Sequence, residues 1–522
     1  MRRSSMIRPE QSPTVALADI ARMLNLPEIP GTVNGICADN RQVQPGDLFL
    51  ALPGERVHGA RFADQALAAG AVAVLTDPAG VELISGGPVL VIENVADYAG
   101  TVAAHVMADP ADKLTTFAIT GTNGKTTTAF MLDHVLRAAG QVTGLIGTVA
   151  LRIAGEDVPA VLTTPQPADL QSMLAALVER GGESLVMEVS SHAIVQGRTK
   201  PICYSVAGFT NLTQDHLDYH STLEEYFGAK AELFAQGNSR RAVIITDDEY
   251  GQRLYAHARK ERPDSVVALS VLTEPSPQSA SENSATNAHN WQVRNIDLRA
   301  DGSAFTIVRA ANTPDEEQLA VTTSLAGDFN IANAALAVVM AVESGLGIDR
   351  VRQALAAGNG VSPIVPGRME TISDAPRVVV DFAHNEDSLA KAIAALRPTT
   401  QGKLIVLTGS AGDRDRDKRP KMARIVAQSA DHLVVTDDDP HSEDPAQIRA
   451  EVIAGIPAGY SFTEIGDRPT AITQTIYAAS PNDTILIAGR GHETIQEVGG
   501  VMIEMDDRQI AREALAQRKA TS

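Results

Sequence analysis

Cysteine is nearly absent from this chain, and its scarcity excludes two classes of protein. Only Cys37 and Cys203 occur among 522 residues, and they do not form a CxxC pair. We therefore expect neither a disulfide framework nor a zinc site built from thiolates, and a reducing cytoplasm fits this cysteine usage.

Long apolar segments are also missing from the sequence. The first residues, "MRRSSMIRPEQSP", begin basic but continue with Pro, Glu and Gln where a signal peptide has its apolar stretch. No run of eighteen apolar residues follows further along the chain. The sequence thus predicts a cytoplasmic protein that does not insert into a membrane.

The chain also has fewer positively charged than negatively charged residues. It carries 44 Lys and Arg against 64 Asp and Glu, which gives a formal net charge of -20 and a pI near 5.0. A nucleic-acid partner is not expected, because a phosphate backbone requires a basic face. A small nucleotide can still bind, since a local nest of amide groups and one lysine suffice for its phosphates.

What is present is globular composition, with 44% apolar and 21% charged residues, in three α/β segments. Residues 1–112 contain short apolar runs between turns, and "FADQALAAGAVAVL" there predicts a helix, a glycine and a strand. Residues 113–361 include a Ser-, Asn- and Pro-rich stretch (273–290) that is typical of a flexible surface insertion. Residues 362–522 alternate strands and helices, which predicts a doubly wound parallel sheet with ligands beyond the carboxyl ends of its strands.

The stretch "GTNGKTT" (121–127) lies between a predicted strand, Thr115 to Thr120, and a helix that ends before Gly140. In that position backbone amides and the helix N-terminus can bind phosphate, Lys125 can neutralise it, and the Thr126 hydroxyl can reach Mg²⁺. The spacing is not the full GxxxxGK[ST] motif, because Ile119 occupies the first glycine position. A plain strand–helix turn is the alternative, but the strand–loop–helix context favours a nucleotide site.

Candidate metal ligands follow in the middle segment. "VMEVSSHA" places Glu188 at the end of an apolar strand, and "NLTQDHLDYH" adds Asp215, His216, Asp218 and His220. One Glu and one His near the phosphates would suffice for Mg²⁺, which keeps several of its waters. The alternative is that these side chains cap a turn, and that Lys230 further on is a solvated lysine.

Together these stretches resemble the Mur ligase family, and most closely its tripeptide-synthetase (MurE) branch. The resemblance rests on ten motifs in the family's order: "ADNRQVQPGDLFLALPG", "GTNGKTT", "LTTP", "MEVSSHA", "NLTQDHLDYH", "KAELF", "GDFNIANAALA", "GRME", "GDRDRDKRP" and "GRGHE". It implies a small α/β domain that binds UDP-MurNAc (1–112), a central P-loop-type ATPase domain (113–361) and a C-terminal Rossmann-like domain for the amino acid (362–522).

The activity that the resemblance implies is an ATP-dependent ligation in peptidoglycan precursor synthesis. ATP phosphorylates the terminal D-glutamyl carboxylate of UDP-MurNAc-L-Ala-D-Glu, and the amine of the third amino acid then attacks the acyl phosphate. Catalysis of this kind is mostly positioning and charge neutralisation. The expected cofactors are ATP and Mg²⁺, the partners are small-molecule substrates, and the protein is expected to be a monomer.

The family's motifs also imply roles for residues of this chain. The catalytic positions are Lys125, Glu188, His216, Lys230, Arg368 and Asp381. The ATP-binding positions are Gly121, Thr122, Asn123, Gly124, Lys125, Thr126, Thr127, Asn330, Asn333, Arg368 and His384. The Mg²⁺ positions are Thr126, Glu188, His216 and Lys230, the last as a carbamate, which turns a cation into an anion. The positions for UDP-MurNAc-dipeptide are Asn40, where many members carry serine, and Thr163, Thr164, Ser190, Gln196 and Arg198. Arg368 could alternatively pair with an acid at a domain hinge.

The amino-acid positions that the resemblance implies are Arg414, Asp438, Asp439, His441, Gly489 and Glu493. Members that add meso-diaminopimelate carry DNPR where this chain has "DDPH" (438–441). Histidine cannot copy the bidentate contact of that arginine with a carboxylate, and Asp439 adds a negative charge. The sequence therefore favours L-lysine or L-ornithine, with Arg414 at the α-carboxylate and Glu493 facing an amino group.

Other readings stay open at this point. A protonated His441 can partly imitate arginine, which keeps diaminopimelate as an alternative. A folate-polyglutamate type of ligase shares "GTNGKTT", although "LTTP", "MEVSSHA" and "DRDRDKRP" favour the muramyl branch. A nucleotide-binding regulator without catalysis would lack some of Lys125, Glu188, His216 and Lys230, and all four are present.

Overall fold

The computed structural model describes residues 7–54, 57–158, 162–215, 219–271, 289–299 and 302–521. Within them the chain builds three main β-sheets of four, eleven and six strands. Each sheet lies in one of the three segments that the sequence distinguishes, and the mixed α/β class with parallel sheets is confirmed. The boundaries at residues 112 and 361 stay predictions. Most of the predicted insertion (273–290) and two of the candidate metal ligands, His216 and Asp218, lie outside the described residues.

The first domain is a four-stranded parallel sheet in the order β3-β4-β5-β6, with a short β1–β2 pair beside it. The predicted helix–glycine–strand unit is confirmed, since helix α2 ends just before Gly70, whose φ of 111° is a left-handed conformation that glycine adopts without strain. The strands are β1 Val15–Ala16, β2 Thr32–Val33, β3 Gly35–Cys37, β4 Asp47–Leu50, β5 Ala73–Thr76 and β6 Val89–Val91. The helices are α1 Leu17–Met23, α2 Ala63–Ala68, α3 Pro78–Val81 and α4 Val95–Val106.

The central domain is an eleven-stranded sheet whose middle is parallel and whose two edges are antiparallel. Its strands are β7 Thr115–Thr120, β8 Thr143–Ile146, β9 Leu151–Ile153, β10 Glu156–Val158, β11 Ser184–Glu188, β12 Tyr204–Phe209, β13 Ser239–Ile245, β14 Val266–Ser270, β15 Trp291–Arg299, β16 Gly302–Arg309 and β17 Glu317–Thr323. Its helices are α5 Lys125–Ala138, α6 Pro167–Glu179, α7 Ser191–Val195, α8 Leu223–Ala231, α9 Glu249–Glu261, α10 Asp328–Ala341 and α11 Ile348–Ala357.

The pairing of β7 with its two neighbours positions the phosphate loop. Strand β7 lies between β11 and β12, and all three run parallel. In this register Glu188 is level with Ile119, and Phe209 is level with Thr120. The carboxyl ends of three strands therefore meet at one edge of the sheet, where "GTNGKTT" begins.

One helical stretch, Asp328–Leu346, is long and apolar enough to cross a membrane, with a mean hydropathy of 1.5. Of that window, 72% is buried inside the protein. Its residues Ile331, Leu336 and Met340 belong to the same core cluster as Phe117 of β7 and Leu132 of α5. The hydropathy of this stretch is thus that of a core helix.

The third domain is a six-stranded sheet in the order β18-β19-β23-β20-β21-β22, parallel apart from the β18 edge, with an apolar cluster on each face. The doubly wound sheet predicted from the sequence is confirmed. The strands are β18 Glu370–Asp374, β19 Arg377–Asp381, β20 Leu404–Thr408, β21 His432–Val435, β22 Phe462–Glu464, β23 Thr484–Ala488, β24 Ile495–Val498 and β25 Val501–Glu504, the last two forming a separate antiparallel hairpin. The helices are α12 Glu386–Leu396, α13 Lys418–Ser429, α14 Pro445–Ile453, α15 Arg468–Ala478 and α16 Asp507–Thr521.

A buried ion pair joins two of these helices. The Arg468 guanidinium donates from Nε and Nη2 to the two carboxylate oxygens of Asp507, at 2.8 and 2.7 Å, and both side chains are fully buried. The opposite charge raises the pKa of Arg468 even though burial opposes the charged form.

We expect Asp507→Asn to destabilise the C-terminal domain by about 3–5 kcal/mol, because it leaves a buried guanidinium without its counter-charge. The measurement is the urea unfolding midpoint, recorded with a spectroscopic signal that reports on the C-terminal domain. Asp19→Asn breaks the exposed Asp19–Arg22 pair and serves as the control, with an unfolding midpoint expected to equal that of the unaltered protein. Equal unfolding midpoints for the two variants would contradict this prediction.

Candidate functional site

Two adjoining cavities lie where the central and C-terminal domains face each other. The larger, about 750 Å³, is lined by the phosphate loop and by the ends of β11 and β19. The smaller, about 510 Å³, lies at the carboxyl edge of the C-terminal sheet. Five residues line both cavities, and so mark the place where they meet: His192, Asp215, Phe382, His384 and Arg414.

The phosphate loop has the backbone that its glycines predict. Gly124 precedes α5 with a φ of 88°, and a Cβ at this position would lie 2.4 Å from Oδ1 of Asn333. The Lys125 ammonium donates to the carbonyl oxygens of Gly121 and Thr122, both at 2.9 Å. Burial lowers the pKa of Lys125, while Glu188 and Asp215 act in the opposite direction. The loop therefore presents a lysine and a helix N-terminus to the larger cavity, as a phosphate site requires.

Glu188 is the acidic group beside this loop. Its side chain is 1% exposed and accepts hydrogen bonds from Oγ1 of Thr126 (2.9 Å) and from the backbone N–H of Thr148 (2.9 Å). A Cβ at Gly147 would lie 2.2 Å from Glu188 Oε1, so only glycine permits this approach. A buried carboxylate and a hydroxyl next to a phosphate loop are the hard oxygen donors that Mg²⁺ prefers, and this donor set fits the ion.

Lys230 is buried on the other side of the loop. It is 1% exposed, its ammonium donates to the Gly121 carbonyl at 3.0 Å, and it lies 4.4 Å from the centre of the Tyr226 ring. Burial, reinforced by the neighbouring Lys125 charge, lowers the pKa of Lys230 well below its usual value. The solvated-lysine interpretation of the sequence is therefore wrong.

The residues predicted to contact ATP come together in the larger cavity. Asn333 donates to Oδ1 of Asn330 at 3.1 Å, and Asp381 accepts from the backbone N–H groups of Met369 and Ala383 at 2.7 and 2.8 Å. Burial raises the pKa of Asp381, and Arg368 opposes that shift. The predicted ATP positions that line this cavity are Thr122, Asn123, Gly124, Lys125, Thr126, Thr127, Asn330, Asn333, Arg368 and His384.

The predicted UDP-MurNAc positions are only partly brought together. Thr163, Thr164, Ser190 and Arg198 line the larger cavity, and Arg198 donates to the Thr164 carbonyl at 3.1 Å. Gln196 accepts two hydrogen bonds from Arg198 but lines neither of the two cavities. Asn40 also lies outside their lining, in the first domain, where it donates to Gln65 at 2.8 Å.

The smaller cavity gathers all of the predicted amino-acid positions: Arg414, Asp438, Asp439, His441, Gly489 and Glu493. Lys418, at the start of α13, lines it as well. Groups of both charge signs therefore surround one space. Burial, together with the nearby Asp438 carboxylate, raises the pKa of Glu493 to about 8.

Arg490 supplies a positive charge beside this cavity that the comparison of "DDPH" with DNPR did not include. Its side chain is fully buried, with Nη1 2.6 Å from Asp439 and 3.7 Å from both Asp438 and Glu493. Ligand atoms of these three acids lie within 4.8 Å of one another, a spacing suited to a metal ion, but the guanidinium already lies among them. The negative charge that Asp439 adds to the cavity is thus paired with the buried guanidinium of Arg490.

Several contacts at the site were not predicted because the two partners are distant in sequence. Thr148 bonds Glu188 across 40 residues, and Asn123 of the phosphate loop donates to Asp387 of the C-terminal domain at 2.9 Å across 264. Glu497 contacts His441 from the β24–β25 hairpin. Arg490 is part of the "GRGHE" motif, so the sequence alone indicated a positive charge near Glu493. Nothing in the sequence around Thr148 or Glu497 indicated a role.

Three family models match the chain in succession. They are described as "Mur ligase family, catalytic domain" (residues 32–107), "Mur ligase middle domain" (119–341) and "Mur ligase, glutamate ligase domain" (367–491).

The relatives point to one branch of that family. A protein of Streptomyces coelicolor is 41% identical over 520 residues (97% of this chain, 98% of its own), and one of Synechococcus elongatus is 42% identical over 498 residues (94% and 95%). Both are named UDP-N-acetylmuramoyl-L-alanyl-D-glutamate–2,6-diaminopimelate ligase. A solved structure of that name has a TM-score of 0.64 at 30% identity, covering 97% of this chain and all of its own. Folylpolyglutamate synthase of Mycobacterium tuberculosis, at 20% identity, TM-score 0.59 and coverage of 75% and 92%, shares the fold alone.

Proposed function

Because this chain belongs to the Mur ligase family of ATP-dependent, amide-bond-forming ligases, we propose that it adds diaminopimelate to UDP-MurNAc-L-Ala-D-Glu. The observation that carries the proposal is the junction of the two cavities. A phosphate-binding cavity and a cavity with charges of both signs meet at five residues, so an activated carboxylate and an incoming amine can meet there.

The choice of amino acid departs from the sequence-based expectation. Lysine or ornithine is not confirmed, and the relatives at about 40% identity are named for diaminopimelate. The cavity gives a physical reason. Arg414 and Lys418 supply cations for two carboxylates, while Asp438 and Glu493 can face an ammonium.

In the first half of the reaction, the chain's own groups position a carboxylate against ATP. Lys125 and the α5 N-terminus can neutralise the phosphates, and Arg198 and Ser190 line the same cavity, where they can bind the dipeptide's terminal carboxylate. Mg²⁺, held by Glu188 and Thr126, would reduce the negative charge that a phosphoryl transfer must overcome. His216, proposed as a further ligand, lies outside the described residues.

The buried environment of Lys230 favours the form of the amine that carbamylation needs. A carbamate forms when a neutral amine attacks carbon dioxide and releases one proton, and the depressed pKa of Lys230 favours the neutral amine. The product is an anion beside Gly121 of the phosphate loop, where it can take part in binding Mg²⁺.

In the second half, the amine enters from the smaller cavity. As the neutral amine it attacks the acyl carbon; the C–O bond to phosphate breaks, phosphate leaves with the electron pair, and the nitrogen of the new amide releases one proton to solvent. Asn123 joins the phosphate loop to Asp387 of the C-terminal domain, which holds the two halves of the site together during this step. We propose a monomeric, cytoplasmic enzyme acting on small-molecule substrates.

The direct test is phosphate release by the full-length protein with ATP, Mg²⁺ and UDP-MurNAc-L-Ala-D-Glu. Diaminopimelate, L-lysine and L-ornithine are supplied separately, and the products are identified by mass. Turnover with diaminopimelate at the highest kcat/KM is expected. No turnover with any of the three would overturn the ligase assignment, whereas a preference for lysine or ornithine would overturn the amino acid alone.

Glu493 predicts a pH dependence of amino-acid binding. With a pKa of about 8 its carboxyl group is protonated and neutral below that pH, and it becomes a carboxylate above it. Since only the carboxylate pairs with an ammonium, the KM for the amino acid should fall as pH rises from about 7 to 8.5, by at most about tenfold per pH unit. Glu493→Gln should raise KM and remove this dependence.

Glu386→Gln is the matched control for that measurement. Glu386 lines the same cavity, but it is half exposed and lies 3.4 Å from Lys421. Its replacement should leave the pH profile of KM unchanged. If Glu493→Gln kept the wild-type slope, Glu493 would not be the titrating group.

A further inference from the structure

Arg368 lines the larger cavity, and the groups that hold its guanidinium are neutral. Nη1 donates to the Gly367 carbonyl at 3.1 Å and lies 3.3 Å from Nδ1 of His492. The guanidinium carbon lies 4.2 Å from the centre of the Phe382 ring, an attractive contact with the face of that ring. These contacts fix the side chain without cancelling its positive charge.

The contact with Arg368 defines the state of the His492 ring. A guanidinium can only donate, so Nδ1 of His492 presents its lone pair and the proton of the neutral ring is on Nε2. Burial, reinforced by the charges of Arg368, Arg508 and Arg490, lowers the pKa of His492 to about 3. The ring is therefore neutral at physiological pH and can accept from the guanidinium.

Two glycine turns fix the distance between these side chains. A Cβ at Gly367 would lie 2.2 Å from the backbone nitrogen of His492, and a Cβ at Gly491 would lie 2.6 Å from the Gly367 carbonyl oxygen. Both glycines have a positive φ, 63° and 53°, which glycine adopts without strain. The turns of "GRME" and "GRGHE" thus pack directly against each other, and the backbone places His492 beside Arg368.

The C-terminal helix α16 supports both turns from behind. The Gly367 N–H donates to the Glu370 carboxylate at 2.9 Å, and Glu370 lies 4.0 Å from Arg508. Arg508 in turn donates to the His492 carbonyl at 3.3 Å. The contacts form a closed ring from Gly367 through Glu370 and Arg508 to His492, so neither turn can shift alone.

The His492 ring also contacts the central domain. A hydrogen bond with the Thr148 backbone favours the charged form of the ring, against the effect of burial. Thr148 itself donates to Glu188 from its N–H at 2.9 Å and from its hydroxyl at 3.2 Å. One imidazole therefore lies between the guanidinium of Arg368 and the loop that holds the proposed Mg²⁺ ligand.

We propose that His492 is a positioning residue for ATP: its Nδ1 and the face of Phe382 direct the Arg368 guanidinium toward the phosphate oxygens with its charge intact. A carboxylate in place of the imidazole would pair with the guanidinium and cancel part of the charge that a phosphate needs. The inference rests on the proposed function, in which Arg368 contacts ATP, and it gives a role to His492, for which none was predicted.

The test is the Kd for ATP with Mg²⁺, measured by calorimetry on the full-length protein. His492→Leu removes the acceptor and should raise this Kd about 10- to 100-fold, the effect of losing a hydrogen bond to a charged group. His492→Asn should recover most of the affinity, because its side-chain oxygen can lie where Nδ1 lies. The recovery separates an acceptor from a side chain that only fills space.

A double variant shows whether His492 acts through Arg368. Arg368→Met should weaken ATP binding by itself. Adding His492→Leu to Arg368→Met should then change the Kd by no more than about twofold, because the group that His492 positions is already gone. If His492→Leu weakened binding equally in both backgrounds, the ring would act by another route and the inference would be overturned.

His432→Leu is the matched control. His432 belongs to the same domain, and its ring contacts the hydroxyls of Ser461 and Thr463, but it lines neither of the two cavities. It should leave the Kd for ATP unchanged, and thermal unfolding checks that each variant is folded.

Two further results would overturn the positioning role of His492. One is a folded His492→Leu protein with a Kd within twofold of the unaltered protein, and the other is a His492→Asn protein that binds ATP no better than His492→Leu. The expected Kd changes without ligation of any amino acid would refute the proposed ligation and leave the positioning of Arg368 in place. Absence of ATP binding by the unaltered protein would overturn both.

Discussion

Lys125→Met is expected to reduce kcat by roughly 10³–10⁵-fold, the range for removing a cation that neutralises a transferring phosphoryl group. Lys125 begins α5 and lines the larger cavity, and its ammonium lies over the two carbonyls of the phosphate loop. Methionine keeps most of the buried side-chain volume, so the change removes the charge with little loss of packing. Phosphate release under saturating substrates measures the effect.

The control for that variant is Lys113→Met, an exposed lysine just before strand β7. It should retain the wild-type kcat. Thermal unfolding of both variants checks that the central domain is intact. A Lys125→Met enzyme with kcat within tenfold of the unaltered protein would remove Lys125 from the proposed phosphate site.

Lys230→Ala is expected to lower kcat by roughly 10²–10³-fold, and acetate or formate should restore part of the loss. The reason lies in the sign of the charge. If Lys230 works as a carbamate, the variant lacks an anion, and a small carboxylate can enter the space left by the side chain. If Lys230 works as a cation, an added anion has nothing to replace. The measurement is phosphate release against increasing acetate concentration.

The Lys125→Met variant is the matched comparison for the rescue, because it removes a neighbouring buried lysine whose proposed role is cationic. Acetate should not restore its activity. Rescue of both variants would indicate a nonspecific salt effect. Rescue of neither, with Lys230→Ala impaired, would contradict the carbamate and leave Lys230 as a structural donor to Gly121.

The phosphate loop shows which structural features can be predicted from local sequence. Strand β7 has the predicted bounds, Thr115–Thr120, and α5 begins at Lys125. Both follow from short-range rules, since β-branched residues favour a strand and glycines permit the left-handed turn before a helix. The helix Glu386–Leu396 begins directly after Asn385, because the Asn385 side chain caps it by accepting from the Ser388 N–H.

The order of motifs along the chain also identified the family. The apolar runs that precede the motifs predicted where the parallel strands end. Glu188 was predicted at a strand end, and the parallel register puts it level with Ile119, next to the phosphate loop. Four polar loops follow strands of the C-terminal segment, "DFAHNED", "GSAGDRDRDKRP", "TDDDPHSEDP" and "AGRGHET", and residues from all four line the smaller cavity. These are consequences of topology, which strand and helix periodicity largely determine.

The sequence by itself thus determined the α/β class, the strand, loop and helix of the phosphate loop and the ligase family, and most of the site residues that it named line the two cavities. Only the tertiary structure decided the charge balance of the amino-acid cavity. Arg490 neutralises Asp439, and Glu497 orients His441 from a hairpin 56 residues away. Electrostatic interactions depend on distances in space and on burial, and neither quantity is encoded in the spacing of residues along the chain.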